Sequence, residues 1–413
     1  MVDNLLATVF IFSIMWILSN VNLNLDVLNP VQDMFGDFQL TDLVSSRIRE
    51  EMPDDTNIVI VNIAELHRAE IAEQVHIINQ CHPKVIGIDS FFRKLKPKHP
   101  EGDSLLAKAF EEVKNLILVS KLHYNDTLKT FDSLETSHPI FMRNTMTGSA
   151  NLLTEGEESF RTARMFSPFD TIASGSRKGW VEPFFAVKIA EAYRPGALNI
   201  VRDRGNELET ILYRGNVYGA KAKFAVIDAQ DILDSNFLPE FLTNKIVLMG
   251  YMGRELGTSE NVWDIDKFFT PLNDKYVGKA VPDMYGIVVH ANIISMILNH
   301  HFVDESEGWM DFAIGIIICF ASVVAFHFAL RRVPQLFDPV TKLVQLALII
   351  VLIFIEVQIY RKVHFRVDFG IALAAIALAP DLLEIYLHLI KRFYIFVTEK
   401  VYIHPKTKFT EKE

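Results

Sequence analysis

Asp89, followed by Ser90, ends the short apolar run at residues 85–88 (VIGI), and a carboxylate placed there has to find hydrogen-bond donors, water or a ligand. Asp89 therefore either contacts a ligand or caps a neighbouring loop. Asn62 with Glu65, Ser120, and the turn at Gly250 and Tyr251 end three further apolar runs in the same manner. His290 lies early in GIVVHANIISMIL, where an imidazole braces a core or a loop more often than it ligates a metal. The glycine-bearing turn Tyr251-Met252-Gly253-Arg254 suits an anion, a weak signal by itself.

Asp381, Glu384 and His388 stand at i, i+3 and i+7 in the last apolar stretch, so on a helix they form one polar stripe. A charge such as Asp at mid-membrane costs about 2.5–3.5 kcal/mol, which keeps the stripe from facing lipid at full depth. Three readings stand. The stripe lies in the inner half of the bilayer and snorkels to the interface; it is a docking face for a partner protein; or it belongs to a proton or ion path with Glu356 and His327. Pro380, just ahead of it, is placed to kink the helix.

HExxH, paired-cysteine spacing, GxSxG, the P-loop and GxGxxG are all missing, so no motif nominates a metal, a nucleotide or a catalytic nucleophile. We expect no catalytic residues, no metal and no cofactor. The net charge of −10, with no basic stripe, excludes nucleic acid as a partner. Cys81 and Cys319 fall in different segments, so no internal disulfide is expected.

The elements that position these residues follow from where the apolar runs fall. Residues 5–21 are just long enough to cross about 30 Å of hydrocarbon. No Lys or Arg precedes them and no small-residue cleavage pattern follows, so they read as an uncleaved anchor. Residues 309–330, 343–359 and 367–390 form three more runs, each bounded by Arg or Lys. Four crossings put both termini on one side, and the basic residues of the 331–342 loop and of the C-terminal tail mark it as the cytoplasm. The expected organisation is an N-terminal anchor (1–24), an extracytoplasmic α/β domain (25–307), a three-helix bundle in the lipid bilayer (308–392) and a short cytoplasmic tail (393–413).

Within the large domain, residues 58–63 (IVIVNI) and 85–88 (VIGI) bracket Ile71, Val75 and Ile78 at i, i+4 and i+7, a strand, helix and strand that form a right-handed parallel unit. The pattern repeats: Gly102 and Asp103 offer an N-cap, Leu106, Phe110 and Val113 a helical stripe, and residues 116–119 (LILV) a third strand. Residues 245–249 (KIVLM) read as another buried strand and 286–298 as a helix. Residues 181–193 contain a helix after Pro183, while 209–213 and 225–228 read as short strands in an antiparallel extension. The fold class is α/β: an open, mainly parallel, Rossmann-like sheet with helices on both faces, plus four transmembrane α-helices, one N-terminal and three C-terminal. Gly370, Ala374 and Ala377, and Ala321, Ala325 and Ala329, give two membrane helices small faces for close packing.

The segments IVIVNI, VIGIDSFF, GDSLLAKAF, KIVLMG, TPL and GIVVHAN, in this order over residues 36–303, resemble the CHASE domain of the second type. That family is a cyclase- and histidine-kinase-associated sensory extracellular domain of bacteria, and the three helices that follow are similar to its pattern as well. The resemblance implies an extracytoplasmic sensor in the bacterial inner membrane, signalling through its helices to a cytoplasmic cyclase, kinase or phosphatase. It also implies that Asp266 and Thr270 lie at the same sheet edge as Asp89, and that the protein is a homodimer. After Ile390 only about twenty residues remain, too few for a catalytic core, so the effector is expected to be a separate cytoplasmic or membrane protein.

An open parallel sheet binds its ligand at the carboxyl ends of the strands. The expected contacts to a small molecule outside the cell are therefore Asn62, Asp89, Ser90, Ser120, Tyr251, Asp266, Thr270 and His290. The expected function is a membrane-anchored, non-enzymatic sensor that passes an unknown signal to a partner. The alternative is a scaffold or assembly subunit of a bacterial envelope complex: an open polar pocket at Asp89 favours sensing, and a plugged crevice beside an exposed apolar patch favours scaffolding. A third reading, an extracytoplasmic enzyme, requires Asp89, Asp266 and His290 within hydrogen-bond reach of one another.

Overall fold

Residues 58–61 (IVIV) carry β-branched side chains on both faces, which suits a strand covered from both sides. The computed structural model of the chain describes residues 1–20, 48, 51–155, 162–256, 266–273, 281–332, 337–390, 392 and 393. Of the expected tail at 393–413, all but residue 393 lies outside the described residues. The chain divides into two units, Met1–Asn29 with Asp304–Glu413, which carries α1 (Val2–Asn20) and the late helices, and Pro30–Val303.

The unit Pro30–Val303 holds a seven-stranded sheet of β1 (Asp55–Asn62), β2 (Val85–Asp89), β3 (Leu116–Asn125), β4 (Thr130–Glu135), β5 (Thr145–Ser149), β6 (Phe224–Ile227) and β7 (Ile246–Gly250). The order is β6-β1-β7-β2-β3, parallel throughout; β5 runs parallel to the first half of β3, and β4 antiparallel to its second half. Helices α2 (Arg68–Gln80) and α3 (Pro100–Glu112) cover one face. On the other lie α4 (Phe185–Tyr193), the short α5 (Ala197–Arg204) and, beyond the short α6 (Ala229–Leu233), which packs on α2, α7 (Gly286–Leu298).

Period-two alternation sorts the strand residues between these layers. Val59, Val61, Ile86, Ile88, Leu116, Leu118, Val247 and Met249 join Val75, Ile78, Leu106 and Phe110 of α2 and α3 in one core. The intervening Ile58, Ile60, Ile117, Val119 and Leu248 are equally buried, and Gly87 faces Ile189 and Phe185 of α4. Gly148 on β5 sits against the backbone of α4: a Cβ there would lie 2.6 Å from Phe185 Cα. Because backbone cannot give way as a side-chain tip can, Gly148→Ala is expected to lower the unfolding free energy by about 1–3 kcal/mol, read as a fall in the urea midpoint.

Several sequence expectations are corrected. Residues 224–227 form a strand, but it lies parallel to β1 rather than antiparallel, and only Glu209–Thr210 of the 209–213 stretch is a strand, paired with residues 165 and 166 in a separate three-stranded sheet. The crossover from β1 through the intervening helices brings β6 back in the same direction. Helix α3 begins at Pro100, not at an Asp103 cap. Proline suits the first helical turn, and Asp103 is instead buried in an ion pair with Arg68 while accepting the Lys96 N–H. Strand β3 runs on to Asn125 because β4 pairs with its second half.

In the other unit, α8 (Gly308–Arg332), α9 (Phe337–Val363) and α10 (Gly370–Ile385, continued by the π-helical turn Tyr386–Ile390) contain three segments long and apolar enough to cross a membrane. The apolar part of α1, Val2–Leu18, is shorter, so three helices, and not the expected four, are long and apolar enough to cross a membrane. Ala7 and Ile11 of α1 pack with Cys319, Val323 and Phe326 of α8 and Ala375, Ala379 and Leu383 of α10. The small residues that bring α8 and α10 together are therefore Gly315, Cys319, Ser322, Ala372, Ala375 and Ala379. The predicted faces at Ala321, Ala325, Ala374 and Ala377 are exposed, one helical position away. Gly315 marks the tightest approach, since a Cβ would lie 2.7 Å from Ile371 Cγ2.

Pro380 lies inside α10, where it has no N–H to give the Ile376 carbonyl. Gln345 of α9, nearly fully buried, supplies the missing donor: its Nε2 reaches Ile376 O at 3.0 Å and Ala377 O at 2.8 Å.

Candidate ligand site at the strand ends

Strands β1, β7 and β2 finish level with one another: Asn62 stands opposite Gly250, and Gly250 opposite Asp89. Asn62 is fully buried and every hydrogen-bonding position of its side chain is engaged. Its Nδ2 donates to Asp228 Oδ1 at 2.9 Å and Gly253 O at 3.0 Å, and its Oδ1 accepts from Ala64 N and Met252 N, both at 2.9 Å. The amide thus clasps the loops that follow β1, β6 and β7. In the turn 251–254, Gly253 gives its carbonyl to this clasp, Arg254 pairs with Glu65 at 3.0 Å, and Tyr251 meets Tyr285 edge-on.

Asp89 is different. Its carboxylate is 18% exposed, makes no hydrogen bond among the described residues, and faces His290 with Oδ2 3.9 Å from Nε2. His290 reaches it from α7, buried between the rings of Phe184 at 5.2 Å and Phe185 at 5.1 Å, and its buried Nδ1 has no partner among the described residues. Loss of solvent pushes the two groups apart in opposite directions, Asp89 up to about 6 and His290 down to about 3. At neutral pH the pair is a carboxylate beside an uncharged imidazole. Both lack hydrogen bonds, an unfinished arrangement at the edge where α/β sheets take ligands. The separation exceeds hydrogen-bond reach, so Asp89 and His290 do not meet the contact that the enzymatic reading requires of them.

Ser90 is half-buried beside Asp89. Ser120 is fully buried and donates to Glu182 Oε1 at 2.7 Å, while Trp180 Nε1 donates to Oε2 at 2.7 Å. Glu182, Phe184 and Phe185 escape a reading by sequence: their importance comes only from the short strand Val181–Pro183 and the start of α4 being laid beside the middle of β3 and the end of β5. Among the described residues no cluster of three or more His, Cys, Asp or Glu is placed to hold a metal.

Asp266 and Thr270 serve the start of α7. The Asp266 carbonyl accepts the Gly286 N–H at 3.0 Å. Thr270 donates its N–H to Asp283 Oδ1 at 2.9 Å and its hydroxyl to Oδ2 at 2.6 Å, with Asn273 adding a donor to Oδ1. Burial outweighs these donors and lifts Asp283 to about 7. Because the folded state holds this proton more tightly than the unfolded chain, its contribution to stability is complete below the unfolded value of 3.8 and is lost as pH rises through about 7. Asp283→Asn keeps an acceptor for the Thr270 N–H and a donor for its hydroxyl. It is expected to flatten the fall in thermal midpoint between about pH 6 and about pH 8, and a slope equal to that of the native chain would contradict the assignment.

In the membrane unit, Asp381, Glu384 and His388 are all exposed. Lys342, near the start of α9, reaches Asp381 Oδ2 at 3.2 Å, and His388 Nδ1 contacts the Glu384 carbonyl at 3.0 Å. The stripe therefore sits toward the end of the bundle where α9 begins. Of the two expected companions, Glu356 lies toward the opposite end, since pairing of residues 304 and 305 with 365 and 366 sets the start of α8 beside the end of α9, whereas His327 lies toward the stripe's end, next to Phe326, which packs with Leu383. His327 meets Asn4 of α1.

No curated protein and no solved structure matches the chain. A family model, the CHASE2 domain, matches residues 9–326. That span takes in well over half of the sequence, including the parallel sheet and the first long apolar helix after it, and the chain belongs to the CHASE2 domain family of extracellular sensory domains.

Proposed function

We propose that this chain is a membrane-anchored, non-enzymatic sensor that binds a small molecule outside the cytoplasm at Asp89, Ser90 and His290 and hands the change to an effector protein. The observation that carries this reading is the Asp89–His290 pair, two polar groups left without hydrogen bonds where a parallel sheet opens. Helix α7 supports it. Ile287, in its first turn, packs on Gly250 beside the pair, while Ser295, two turns later, donates to Asp55 Oδ2 at the opposite edge, where β1 begins. The helix then leads through residues 299–307 into α8. A ligand that shifts α7 needs different affinity for the two poses, or nothing is transmitted.

In this reading α1 makes a fourth crossing, both termini are cytoplasmic, and the protein is a dimer in the bacterial inner membrane, with the exposed stripe of Asp381, Glu384 and His388 turned to its effector. A second reading, an envelope scaffold, draws on Tyr124, Leu128, Trp180 and Val181, large apolar side chains each about half exposed. The test is a melting screen of the full chain in detergent against a metabolite library at neutral pH. A binder at a hundred times its Kd adds about 2.7 kcal/mol, and Asp89→Asn is expected to abolish that gain while keeping the unliganded melt. A library without a single Asp89-dependent hit would favour the scaffold.

A further inference from the structure

A cavity of about 480 Å³ opens at the sheet edge opposite Asp89, lined among others by Val59, Lys223, Phe224, Ala225, Phe241 and Lys245. Its origin is a fault in register. Asp55 of β1 stands opposite Phe224 of β6, yet the next pair is Val59 with Ala225, so Thr56, Asn57 and Ile58 have no counterpart and the two strands part. Irregularities of this kind often mark functional edges.

The charges around the space are not balanced toward its interior. Asp55 is 3% exposed, and its carboxylate is taken by Ser295, by the Asn57 N–H and by Arg214. Asp54 is 71% exposed and turned to water, while the Lys223 it touches at 3.4 Å is only 14% exposed. Lys245 is half-buried and its ammonium has no acidic partner among the described residues. Glu240 is exposed on the rim, where water and salt screen it. The space thus has an apolar floor of Val59, Phe224, Ala225 and Phe241, with Lys245 and the Asp54-paired Lys223 in its lining, the complement of one kind of molecule.

We infer that this cavity binds a small organic anion with an apolar body, at a site separate from the Asp89–His290 pair. Lysine is a point charge that does not distinguish a carboxylate from a phosphate monoester, so the anionic group and not its geometry is recognised. Because Asp55 both lines the cavity and holds Ser295 of α7, an occupant acts on the helix that the strand-end site also uses.

The test uses the full chain in detergent with four probes sharing a phenyl body: 3-phenylpropionate, phenyl phosphate, 3-phenylpropanol and 2-phenylethylamine, titrated by calorimetry. Saturable binding is expected for at least one of the two anions, at least fivefold tighter than for the alcohol or the amine. Lys245→Met is expected to weaken it at least fivefold, Lys245→Arg to retain it, and Asp89→Asn to leave it unchanged. Should Lys245→Met disturb the melt, Lys223→Met serves as the second variant. No saturable anion binding, equal affinity for the alcohol, or indifference to both lysine substitutions would overturn the inference. Loss on Asp89→Asn alone would move the binding to the strand-end site and overturn it as well.

Discussion

Arg214→Met is expected to cost about 3–5 kcal/mol of unfolding free energy, because it strands a carboxylate in the interior. Arg214 and Asp55 are both almost fully buried, with Nε 3.9 Å from Oδ2 and Ser295 Oγ bridging them, at 2.6 Å from Nε and 2.5 Å from Oδ2. The guanidinium also donates to the Pro53 carbonyl at 2.7 Å, and the backbone N–H of Arg214 to Asn292 Oδ1 at 2.7 Å. One arginine thus ties the start of β1 to α7. Adding Asp55→Asn removes the unpaired charge, so the double variant should regain part of the loss. Pulse proteolysis across a urea gradient measures both. Additive losses would show that the two side chains do not act as a pair.

Asn62→Leu is expected to be nearly as damaging, at about 3–4 kcal/mol, for a different reason. Leucine matches the amide in size but leaves the N–H groups of Ala64 and Met252 without their acceptor, together with the oxygens of Asp228 and Gly253. A buried group stripped of its partner costs about 1–3 kcal/mol, and part of this set can turn to water. Asn62→Asp keeps an acceptor for the two backbone N–H groups but sets a buried carboxylate against Asp228 Oδ1 and the Gly253 carbonyl, so it should lose at least as much. Hydrogen exchange at Ala64 and Met252 gives the local readout: both amides should exchange far faster in the leucine variant, and unchanged protection would refute the clasp.

The parallel sheet is legible in the sequence because a strand buried on both faces leaves an unbroken apolar run, as at residues 58–61 and 116–119, with helical stripes between. Helix α7 is legible over its full length, and its thirteen buried residues show why: no position needs to be polar for solvent. What resists is anything set by distant partners. Asn62 is recognisable as a strand-ending polar residue, but its partners at Asp228 and Gly253 lie 166 and 191 positions further along. Nothing local shows that its amide is used up. Asp103 reads as a helix cap until Arg68 is seen beside it, and nothing local singles out Asp283, over which Thr270 closes. The small faces of α8 and α10 are displaced by a single residue, a distinction that helical spacing alone does not make.

Gln345 makes Pro380 part of a contact between two helices. A carbonyl released inside hydrocarbon has no water to turn to, so bending α10 at Pro380 would uncouple Ile376 and Ala377 from the side-chain amide that reaches them. The proline is therefore no free joint. Helices α9 and α10 are geared together at this depth, and a movement entering through either one emerges from both.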